Sequence, residues 1–535
     1  MIVSSYRARI RSAVAALGVA VALAAAGAAT VIASGTSGSA AAAPLVEDEG
    51  ANCPVTLPGT LTANSKLPDP FRKIDGTRIT SRSEWTCRRE EIKQLAERYV
   101  YGTKPARPTV SGTVSSTNIS VNVSANGRSA SFSAGVQLPS GSGPFPAVVV
   151  VGGLGADTST ILGSGVAIIN YNPLAVGAEG TPRNNKQGAF YTLYGATSST
   201  GLLVAWAWGV SRIIDVIEQS GGNVLKADAL GVTGCSRYGK GAFASGAFDQ
   251  RIALTMPIES GSAGVPILRG IPGESGAQPL SSAYSEQPWL GDAFNSFTGN
   301  PTTLPVDTHE LVGMVAPRGL FIMENPHIDW LAARSGSVAA LAGAEIYKAL
   351  GAGDNISYWS DVQDGTHCAV RPEWKAPLQQ NLQKFLLKTG NAAGVFRISS
   401  LKAGNLSDWK DWQTPTLSDS PPSSPPPSGG ACRAVDVISP WNTGLTSNIT
   451  ITNTSGSAIN GWSLVFTLPS GQSIVPPGWN ATDTPTSGQV TATNLTFNAS
   501  LPPGGSTTVG FQANHTGNAA APTAFTLNGT PCTTG

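Results

Sequence analysis

The amino-acid sequence predicts a doubly wound, mostly parallel α/β sheet followed by a separate all-β sandwich. Short apolar runs of the kind found in buried parallel strands alternate with helical segments over much of residues 44–413. A stretch rich in proline and serine then interrupts the chain at 414–430, and such a linker cannot bury a core. Beyond it, residues 431–535 carry hardly any charge and contain short alternating segments separated by turn residues, which is typical of antiparallel sheets.

The N-terminal segment has the features of a secretory signal. Three arginines between positions 7 and 11 precede an apolar run from Ala13 to about Ala33, and Ser39 to Ala43 offers small-residue cleavage sites. The run is long enough to act instead as an uncleaved anchor, but its richness in alanine and glycine favours cleavage. We therefore expect a signal peptide at 1–43 and a secreted, extracellular protein that is free of the membrane after cleavage.

The overall composition excludes some kinds of partner. A chain of 535 residues suggests two or three domains. Its 34 basic and 33 acidic residues nearly balance, and no basic stripe is present, so we do not expect it to bind nucleic acid. Charged residues make up only 13% of the chain, which suits a secreted protein rich in loops and strands. We expect a monomer.

The α/β part of the chain supplies six strand segments and two long helices. The two helices are predicted at Leu202–Ile217 and Ser337–Leu350 from the spacing of their apolar residues. In sheets of this class, sites form at the carboxyl ends of the strands. The predicted strands are Phe145–Val151, Gly165–Tyr171, Leu230–Thr233, Ile252–Ile258, Gly319–Met323 and Ile356–Trp359.

The segment Val232–Gly241 has the pattern of a strand, a sharp turn with Ser236 at its apex, and a helix. A serine in such a turn projects its hydroxyl out of the backbone, above a helix N-terminus that stabilises developing negative charge. The usual pattern of this turn is G-x-S-x-G, but here the second glycine, Gly239, comes one residue late. We interpret Ser236 as the nucleophile of an acyl-transfer enzyme.

A serine nucleophile needs a histidine base and an acid that orients it. The chain has four histidines, of which His515 belongs to the C-terminal part. In α/β-hydrolases the histidine comes last in the chain order of the catalytic residues, and this selects His367 over His309 and His327.

The residues alone leave the orienting acid open. Glu259 follows the strand that comes after Ser236, whereas the common hydrolase position lies one strand later, where Glu324 and Asp329 are available. Both positions lie at strand ends, so the pattern of strands does not decide between them.

The string Gly234-Cys-Ser-Arg-Tyr-Gly-Lys240 resembles the nucleophile motif of the glucuronoyl esterases, carbohydrate esterase family 15. The resemblance extends over nearly all of residues 50–400 and implies an α/β-hydrolase fold. It favours Glu259 as the acid, with Asp329 as the alternative, and it implies that Arg237 lies at the oxyanion hole.

The same resemblance implies a set of substrate-binding side chains. Lys240 matches the lysine that binds sugar hydroxyls, and Trp330, in the string Ile-Asp-Trp-Leu, matches the tryptophan that contacts the substrate. Gln278 and Glu286 have the eight-residue spacing of the family's glutamine and glutamate ligands. The implied reaction is hydrolysis of the ester between 4-O-methyl-D-glucuronic acid of glucuronoxylan and an alcohol of lignin. We expect no cofactor and no metal, because the chain contains neither a clustered Cys/His site nor a dinucleotide fingerprint.

In the C-terminal part, Trp441 and Trp479 are flanked by turn residues and are predicted to be exposed, whereas Trp462 starts an apolar strand and is predicted to be buried. Exposed aromatic rings of this kind stack on pyranose faces. The segment Cys432–Cys532 resembles the family 2 carbohydrate-binding modules, which implies binding to cellulose. Phe497 occupies the position of the third surface tryptophan in those modules.

Six cysteines in an exported chain indicate three disulfides. Fifteen pairings exist, but the positions favour three pairs. A bridge from Cys235 to Cys368 would tie the turn of Ser236 to the loop of His367 and so hold nucleophile and base in register. The other favoured pairs are Cys53–Cys87 and Cys432–Cys532.

Two other functions fit parts of the sequence. The chain could be an acetyl-xylan or another carbohydrate esterase on the same scaffold, but the cationic side chains of Arg237 and Lys240 argue against a neutral acyl group. It could also be a cellulose-binding protein with an inactive hydrolase domain, but the complete set of Ser236, Glu259 and His367 argues against that.

Overall fold

The computed structural model describes residues 46–418 and 432–534. The predicted signal peptide at 1–43 and most of the predicted linker lie outside these residues. No helix in the described parts of the chain is long and apolar enough to cross a membrane.

A ten-stranded sheet forms the centre of the larger domain, in the order β1-β2-β3-β5-β4-β6-β7-β8-β9-β10. The strands from β5 through β4 to β10 run parallel, and β1, β2 and β3 form an antiparallel extension that pairs with β5. The strands are β1 Thr109–Val114, β2 Asn118–Ala125, β3 Arg128–Gln137, β4 Phe145–Val151, β5 Ala167–Tyr171, β6 Leu225–Cys235, β7 Ile252–Ile258, β8 Gly319–Met323, β9 Ile356–Trp359 and β10 Phe396–Arg397.

Helices cover the sheet, and two apolar cores fill the space on its faces. The longest helix, Leu202–Gln219, is apolar nearly all round because it is buried along almost its whole length. The α-helices are α1 Trp85–Ala96, α2 Thr158–Gly163, α3 Ala189–Tyr194, α4 Leu202–Gln219, α5 Arg237–Phe248, α6 Leu280–Ser285, α7 Thr308–Val315, α8 Ala333–Ala349 and α9 Pro372–Asn381.

The strands predicted from continuous apolar runs are present at or close to their expected bounds. Four of them, β4, β7, β8 and β9, have the predicted end residues. Strand β6 is longer than predicted because it begins in the polar stretch at Leu225, and helix α8 begins at Ala333 instead of Ser337.

The larger domain continues past residue 413, which we expected to be its end. The Leu417 side chain is 4% exposed and packs in the main core, and Ser418 bridges to Ser81. The first residues of the predicted linker are therefore part of the folded domain.

The C-terminal residues form a β-sandwich with its own core, which contains the buried Trp462. One sheet has the order β15-β19-β12-β11-β22 and the other the order β16-β17-β14-β20-β21, with β13 paired to β18. The strands are β11 Cys432–Trp441, β12 Gly444–Asn453, β13 Ile459–Asn460, β14 Ser463–Thr467, β15 Gln472–Trp479, β16 Ala481–Thr484, β17 Gln489–Asn494, β18 Ser500–Leu501, β19 Ser506–His515, β20 Phe525–Leu527, β21 Thr530–Pro531 and β22 Thr533–Thr534.

Candidate active site

Ser236 lies in a sharp turn between β6 and α5. Strand β6 ends at Cys235, helix α5 begins at Arg237, and Ser236 between them has φ +59° and ψ −127°. This backbone region is unfavourable for a residue with a side chain, so the surrounding structure must hold it. The Ser236 N–H donates to the Ile258 carbonyl of β7 at 2.9 Å, which fixes the turn against the neighbouring strand.

The unusual glycine spacing around Ser236 follows from close packing. A Cβ on Gly234 would lie 2.6 Å from the Tyr238 carbonyl oxygen. A Cβ on Gly239 would lie 2.5 Å from the Ile258 carbonyl oxygen, because the first turn of α5 rests on the end of β7. The glycine three residues after Ser236 is therefore the one that this turn requires, which explains why the chain departs from G-x-S-x-G.

His367 and Glu259 are joined by a short hydrogen bond. Glu259 directly follows β7, and its Oε2 atom lies 2.6 Å from His367 Nδ1. The same oxygen accepts the backbone N–H of Cys368 at 2.8 Å. The other carboxylate oxygen accepts from Asn325 Nδ2 at 3.3 Å and lies 3.7 Å from the Arg371 guanidinium. The carboxylate is completely buried, so these donors replace its hydration.

A disulfide joins the turn of Ser236 to the loop of His367. Cys235 precedes Ser236, Cys368 follows His367, and the two cysteines are bonded with their Cα atoms 5.8 Å apart. Cys53–Cys87 and Cys432–Cys532 are also bonded, and no cysteine in the described residues is free. The pairs favoured in the sequence are thus the ones that form in the structure.

The other candidate acids do not contact His367. Asp329 is largely exposed and forms an ion pair with Lys402 Nζ at 2.9 Å. Glu324 is completely buried behind Ser260, whose hydroxyl lies 3.5 Å from its carboxylate. Burial, together with the nearby Glu259 carboxylate, raises the pKa of Glu324 well above its ordinary value.

The remaining histidines have structural partners. His309 Nε2 lies 3.0 Å from the Pro68 carbonyl, and burial lowers the pKa of this histidine to about 4. His327 Nε2 lies 2.9 Å from the Val362 carbonyl, and His515 Nε2 lies 3.1 Å from the Trp441 carbonyl. Of the four histidines, all of which the structure describes, His367 is the one with a carboxylate partner beside the turn of Ser236.

A cavity of about 170 Å³ opens next to Ser236. Its wall contains Arg237 and Lys240 from α5 together with residues from the later loops. The complete lining is Ser236, Arg237, Lys240, Ser260, Gly261, Gln278, Glu286, Trp289, Trp330 and Leu331. The structure thus brings together every side chain that the sequence assigned to the substrate pocket.

Lys240 is buried and its ammonium group is held by backbone carbonyls. Its Nζ atom donates to the carbonyls of Ser260 at 2.5 Å and Ser262 at 2.7 Å. Burial lowers the pKa of Lys240 to about 8, although the charges of Glu286 and Glu324 act in the opposite direction. Because the carbonyls carry no formal charge, the ammonium contributes positive potential to the cavity.

Gln278, Glu286 and Trp330 form the opposite wall. Gln278 Nε2 donates to the Glu286 carboxylate at 2.7 Å, and the Gln278 backbone N–H donates to the Trp330 carbonyl at 3.2 Å. The Trp330 ring is 54% exposed and meets the His367 ring edge-on with centroids 6.1 Å apart. Trp330 therefore presents an aromatic face to solvent directly beside the His367–Glu259 pair.

Two residues were not predicted from the sequence: Trp289, which lines the cavity, and Glu179, which lies behind the lining. Glu179 accepts hydrogen bonds from Arg237 Nη1 at 3.0 Å and from Trp289 Nε1 at 2.6 Å. The Trp289 ring lies under Lys240 Nζ at 5.5 Å from the ring centroid. Glu179 lies in a loop rich in glycine and proline after β5, with no periodicity around it, so only the expected cluster of loops at the strand ends pointed to it.

The described residues also contain a larger cleft and a group of potential metal ligands that includes Glu259 and His367 themselves. A larger cleft of about 780 Å³ near Glu47 is lined by acidic and basic side chains that mostly pair with one another, including Lys104 with Glu47 and Arg251 with Glu218. Cys235, Glu259, His367 and Cys368 place four potential metal ligands within 4.8 Å of one another. Both of these sulfurs are used in the disulfide.

In the C-terminal sandwich, one sheet carries two of the predicted aromatic residues. Trp441 pairs in register with Gly444 of β12, and Trp479 pairs with Gly510 of β19. The rings of both tryptophans lie close to these glycines, where a Cβ would approach them to within 2.5 Å. Trp441 is 48% exposed, as predicted, whereas Trp479, which was also predicted to be exposed, is half-buried.

Phe497 is the most exposed of the three predicted aromatic residues. Its side chain is 72% exposed. The neighbouring Asn498 donates to the Asn480 carbonyl at 2.7 Å, directly after Trp479 in the chain. This bond brings the segment of Phe497 close to that of Trp479.

The two parts of the chain match two known protein families. The family of fungal glucuronyl esterases matches residues 121–351, and the cellulose-binding domain family matches residues 432–532. The first match contains β4 to β8 with Ser236 and Glu259, and the second contains most of the sandwich with its disulfide.

Relatives of known name cover most of the larger domain. The 4-O-methyl-glucuronoyl methylesterase of Hypocrea jecorina is 39% identical over 377 residues, which is 69% of this chain and 80% of that protein. The enzyme of the same name from Neurospora crassa is 39% identical over 71% of this chain and 96% of its own length.

Solved structures agree with these matches. The glucuronoyl esterase catalytic domain of Hypocrea jecorina has 38% identity and a TM-score of 0.63, over 68% of this chain and all of that one. A serine-to-alanine mutant of the Sporotrichum thermophile enzyme, in complex with methyl 4-O-methyl-β-D-glucopyranuronate, has 37% identity and a TM-score of 0.64 over the same shares. The chain is therefore a carboxylic ester hydrolase of the glucuronoyl esterase family, with an α/β-hydrolase domain followed by a cellulose-binding module.

Proposed function

We propose that this protein is a secreted serine esterase that cleaves the ester between 4-O-methyl-D-glucuronic acid of glucuronoxylan and an alcohol of lignin. The observation that carries the proposal is the hydrogen bond between the buried Glu259 and His367, whose loop is joined by a disulfide to the turn of Ser236 beside a polar cavity lined by Arg237, Lys240 and Glu286. The C-terminal module holds the enzyme on cellulose. The exported character rests on the predicted signal at 1–43 and on the three disulfides.

Ester cleavage proceeds through an acyl-enzyme. His367 takes the proton of the Ser236 hydroxyl through the ring nitrogen that does not face Glu259, and Ser236 Oγ bonds to the uronate carbonyl carbon. The bond to the alcohol oxygen then breaks, and His367 returns the proton to the departing alcohol. Water attacks the acyl-enzyme by the same route, which releases the glucuronic acid and restores Ser236.

The residues around the nucleophile stabilise charge at each step. Glu259 holds His367 in one tautomer through Nδ1 and stabilises the imidazolium that forms. The Arg237 backbone N–H, at the start of α5, and its guanidinium face the negative charge that develops on the carbonyl oxygen. Four side chains bind the sugar ring and its hydroxyls: Lys240, Gln278, Glu286 and Trp330.

The surface beside the sugar pocket suits an apolar alcohol. Leu154 is 52% exposed and precedes Gly155, which packs against the Cys235–Cys368 disulfide. Val370 is 57% exposed and follows that disulfide by two residues. Neither residue lines the sugar cavity, and both lie close to the disulfide that joins the Ser236 turn to the His367 loop, so we assign the alcohol to this surface. An aromatic lignin alcohol would cover both side chains.

The assigned reaction is tested first with the purified protein and Ser236→Ala. We expect serine-dependent acid release from benzyl glucuronate, little release from 4-nitrophenyl acetate, and a loss of at least about 1,000-fold in Ser236→Ala. Cleavage of acetate alone would move the protein to the acetyl esterase alternative. Cleavage of neither ester by the folded, disulfide-bonded protein would leave cellulose binding as its function.

If Glu259 orients His367, substitutions of Glu259 and of Asp329 should have very different effects on kcat. Glu259→Gln should lower kcat on benzyl glucuronate about 1,000- to 10,000-fold, because the amide can no longer hold the required histidine tautomer or stabilise the imidazolium. Asp329→Asn, the matched control, should change kcat less than about two-fold, since Asp329 pairs with Lys402 at the surface. A loss of comparable size in both variants would contradict the assignment.

If Leu154 and Val370 contact the alcohol, their substitution should change KM only for esters with a large apolar alcohol. Leu154→Ser and Val370→Ser should each raise KM for benzyl glucuronate about five-fold, because the benzyl group would then bury less apolar surface, at roughly 25 cal/mol per Å². KM for methyl glucuronate, whose alcohol is too small to reach them, should stay unchanged. Leu401→Ser, at a similarly exposed leucine outside the cavity lining, serves as the control. Equal effects on the two esters would contradict an alcohol site here.

The aromatic residues of the sandwich predict graded binding to cellulose. Trp441→Ala and Trp479→Ala should each weaken adsorption to crystalline cellulose about 10- to 100-fold, because a stacked tryptophan contributes much of the buried area. Phe497→Trp should strengthen adsorption, since it enlarges the third ring. Depletion assays on cellulose measure both effects, and activity on soluble benzyl glucuronate should not change. Unaltered adsorption in both alanine variants would exclude this face as the binding surface.

A further inference from the structure

Glu179 connects two separate walls of the substrate cavity. Its Oε2 accepts from the Arg237 guanidinium at 3.0 Å, and its Oε1 accepts from the Trp289 indole N–H at 2.6 Å. The Glu179 side chain is only 12% exposed, so both contacts form in a setting that is largely shielded from water. One carboxylate thus restrains a residue next to the nucleophile and a residue on the sugar side.

Arg237 needs such a restraint more than other arginines do. Its side chain is 43% exposed and starts from the first turn of α5, where a cation is unfavourable to the helix dipole. Among residues 46–418 and 432–534, Glu179 is the one carboxylate within ion-pair distance of Arg237. Without it, the guanidinium would recover its rotamer freedom and would turn toward solvent.

Trp289 links Glu179 to the sugar pocket. Its ring is buried, lines the cavity and lies beneath the Lys240 ammonium, 5.5 Å from the ring centroid. The hydrogen bond to Glu179 restrains the rotation of this ring, and the ring face packs beside the Lys240 ammonium, which the Ser260 and Ser262 carbonyls also hold.

We propose that Glu179 is a positioning residue, which holds Arg237 at the oxyanion and Trp289 against Lys240 and so aligns the reacting carbonyl with the bound sugar. This inference rests on the proposed function. Both carboxylate oxygens are occupied by these donors, so Glu179 acts through Arg237 and Trp289 without transferring a proton itself.

The loop of Glu179 has anchors that do not involve its side chain. The Gly180 N–H donates to Gln287 Oε1 at 2.7 Å, and the Ala178 N–H donates to the Gln187 carbonyl at 2.9 Å. A substitution at Glu179 should therefore leave the loop in place. Glu179→Gln keeps the shape of the side chain, and its single carbonyl oxygen can serve only one of the two donors.

Two double-mutant cycles on benzyl glucuronate test the inference. Glu179→Gln alone should lower kcat about 10- to 100-fold, a part of the loss that follows removal of an oxyanion donor, and should raise KM several-fold. On an Arg237→Met background, Glu179→Gln should lower kcat by no more than about two-fold further. On a Trp289→Phe background, which keeps the ring but lacks the indole N–H, the effect on KM should disappear.

The control is Asp292→Asn, another carboxylate paired with an arginine, but its partners Arg183 and Lys186 do not line the cavity, whereas both partners of Glu179 do. It should leave kcat and KM within about two-fold of the wild type, and the melting temperature of Glu179→Gln should match the wild type. The same fold-loss from Glu179→Gln in every background would overturn the positioning role. An inactive wild type would instead overturn the proposed function, so the two failures are distinguishable.

Discussion

The geometry of the active site depends on one buried carboxylate, that of Glu259. A carboxylate removed from water costs several kcal/mol unless its lone pairs are satisfied. Here one oxygen accepts both His367 Nδ1 and the Cys368 N–H, and the other faces Asn325 and Arg371. The loop that carries His367 cannot move away without removing both hydrogen bonds to one oxygen of this buried carboxylate. The base is therefore fixed by the cost of burying Glu259, and the disulfide at Cys368 adds a covalent restraint.

The two cationic side chains beside the cavity, Lys240 and Arg237, are neutralised to different degrees by their neighbours. The Lys240 ammonium is held by two carbonyl oxygens, whereas Arg237 has a full carboxylate partner in Glu179. With a pKa of about 8, Lys240 still carries its proton at neutral pH. Under the proposed function, Lys240 supplies positive charge beside the anionic product, and the Gln278–Glu286 pair supplies hydrogen-bonding groups to its hydroxyls.

The sequence predicts best those strands that are buried on both faces, because burial requires an apolar residue at nearly every position. Strands such as Phe145–Val151 are apolar at every position because both faces of a parallel sheet are covered, so their ends are visible in the sequence. The antiparallel strands β1 to β3 were not predicted, because they alternate apolar and polar residues, as with Ile119, Val121 and Val123 of β2, and contain no continuous apolar run. The packing of Leu417 was also not predicted, since a single apolar residue in a proline- and serine-rich stretch gives no periodic signal.

The residues of the active site are harder to predict from sequence for a different reason, because their contacts join distant parts of the chain. Glu259, Glu324 and Asp329 follow equivalent strand ends, and only their three-dimensional partners separate them, since His367 lies 108 residues from Glu259.

Backbone strain is concentrated at the same residues. Ser236, Glu259 and Cys368 all have positive φ values, a conformation that costs residues with side chains of order 1–3 kcal/mol each. Each is held by tertiary contacts: Ser236 by the Ile258 carbonyl, Glu259 by its three hydrogen-bond donors and the nearby Arg371 guanidinium, and Cys368 by the disulfide and its bond to Glu259. The intrinsic backbone preferences of serine, glutamate and cysteine do not favour positive φ. The site is therefore specified by the contacts that offset the strain. Ser236 has a motif and can be located from the residues alone, whereas Glu259 has none, so the sequence favoured it only through the family resemblance.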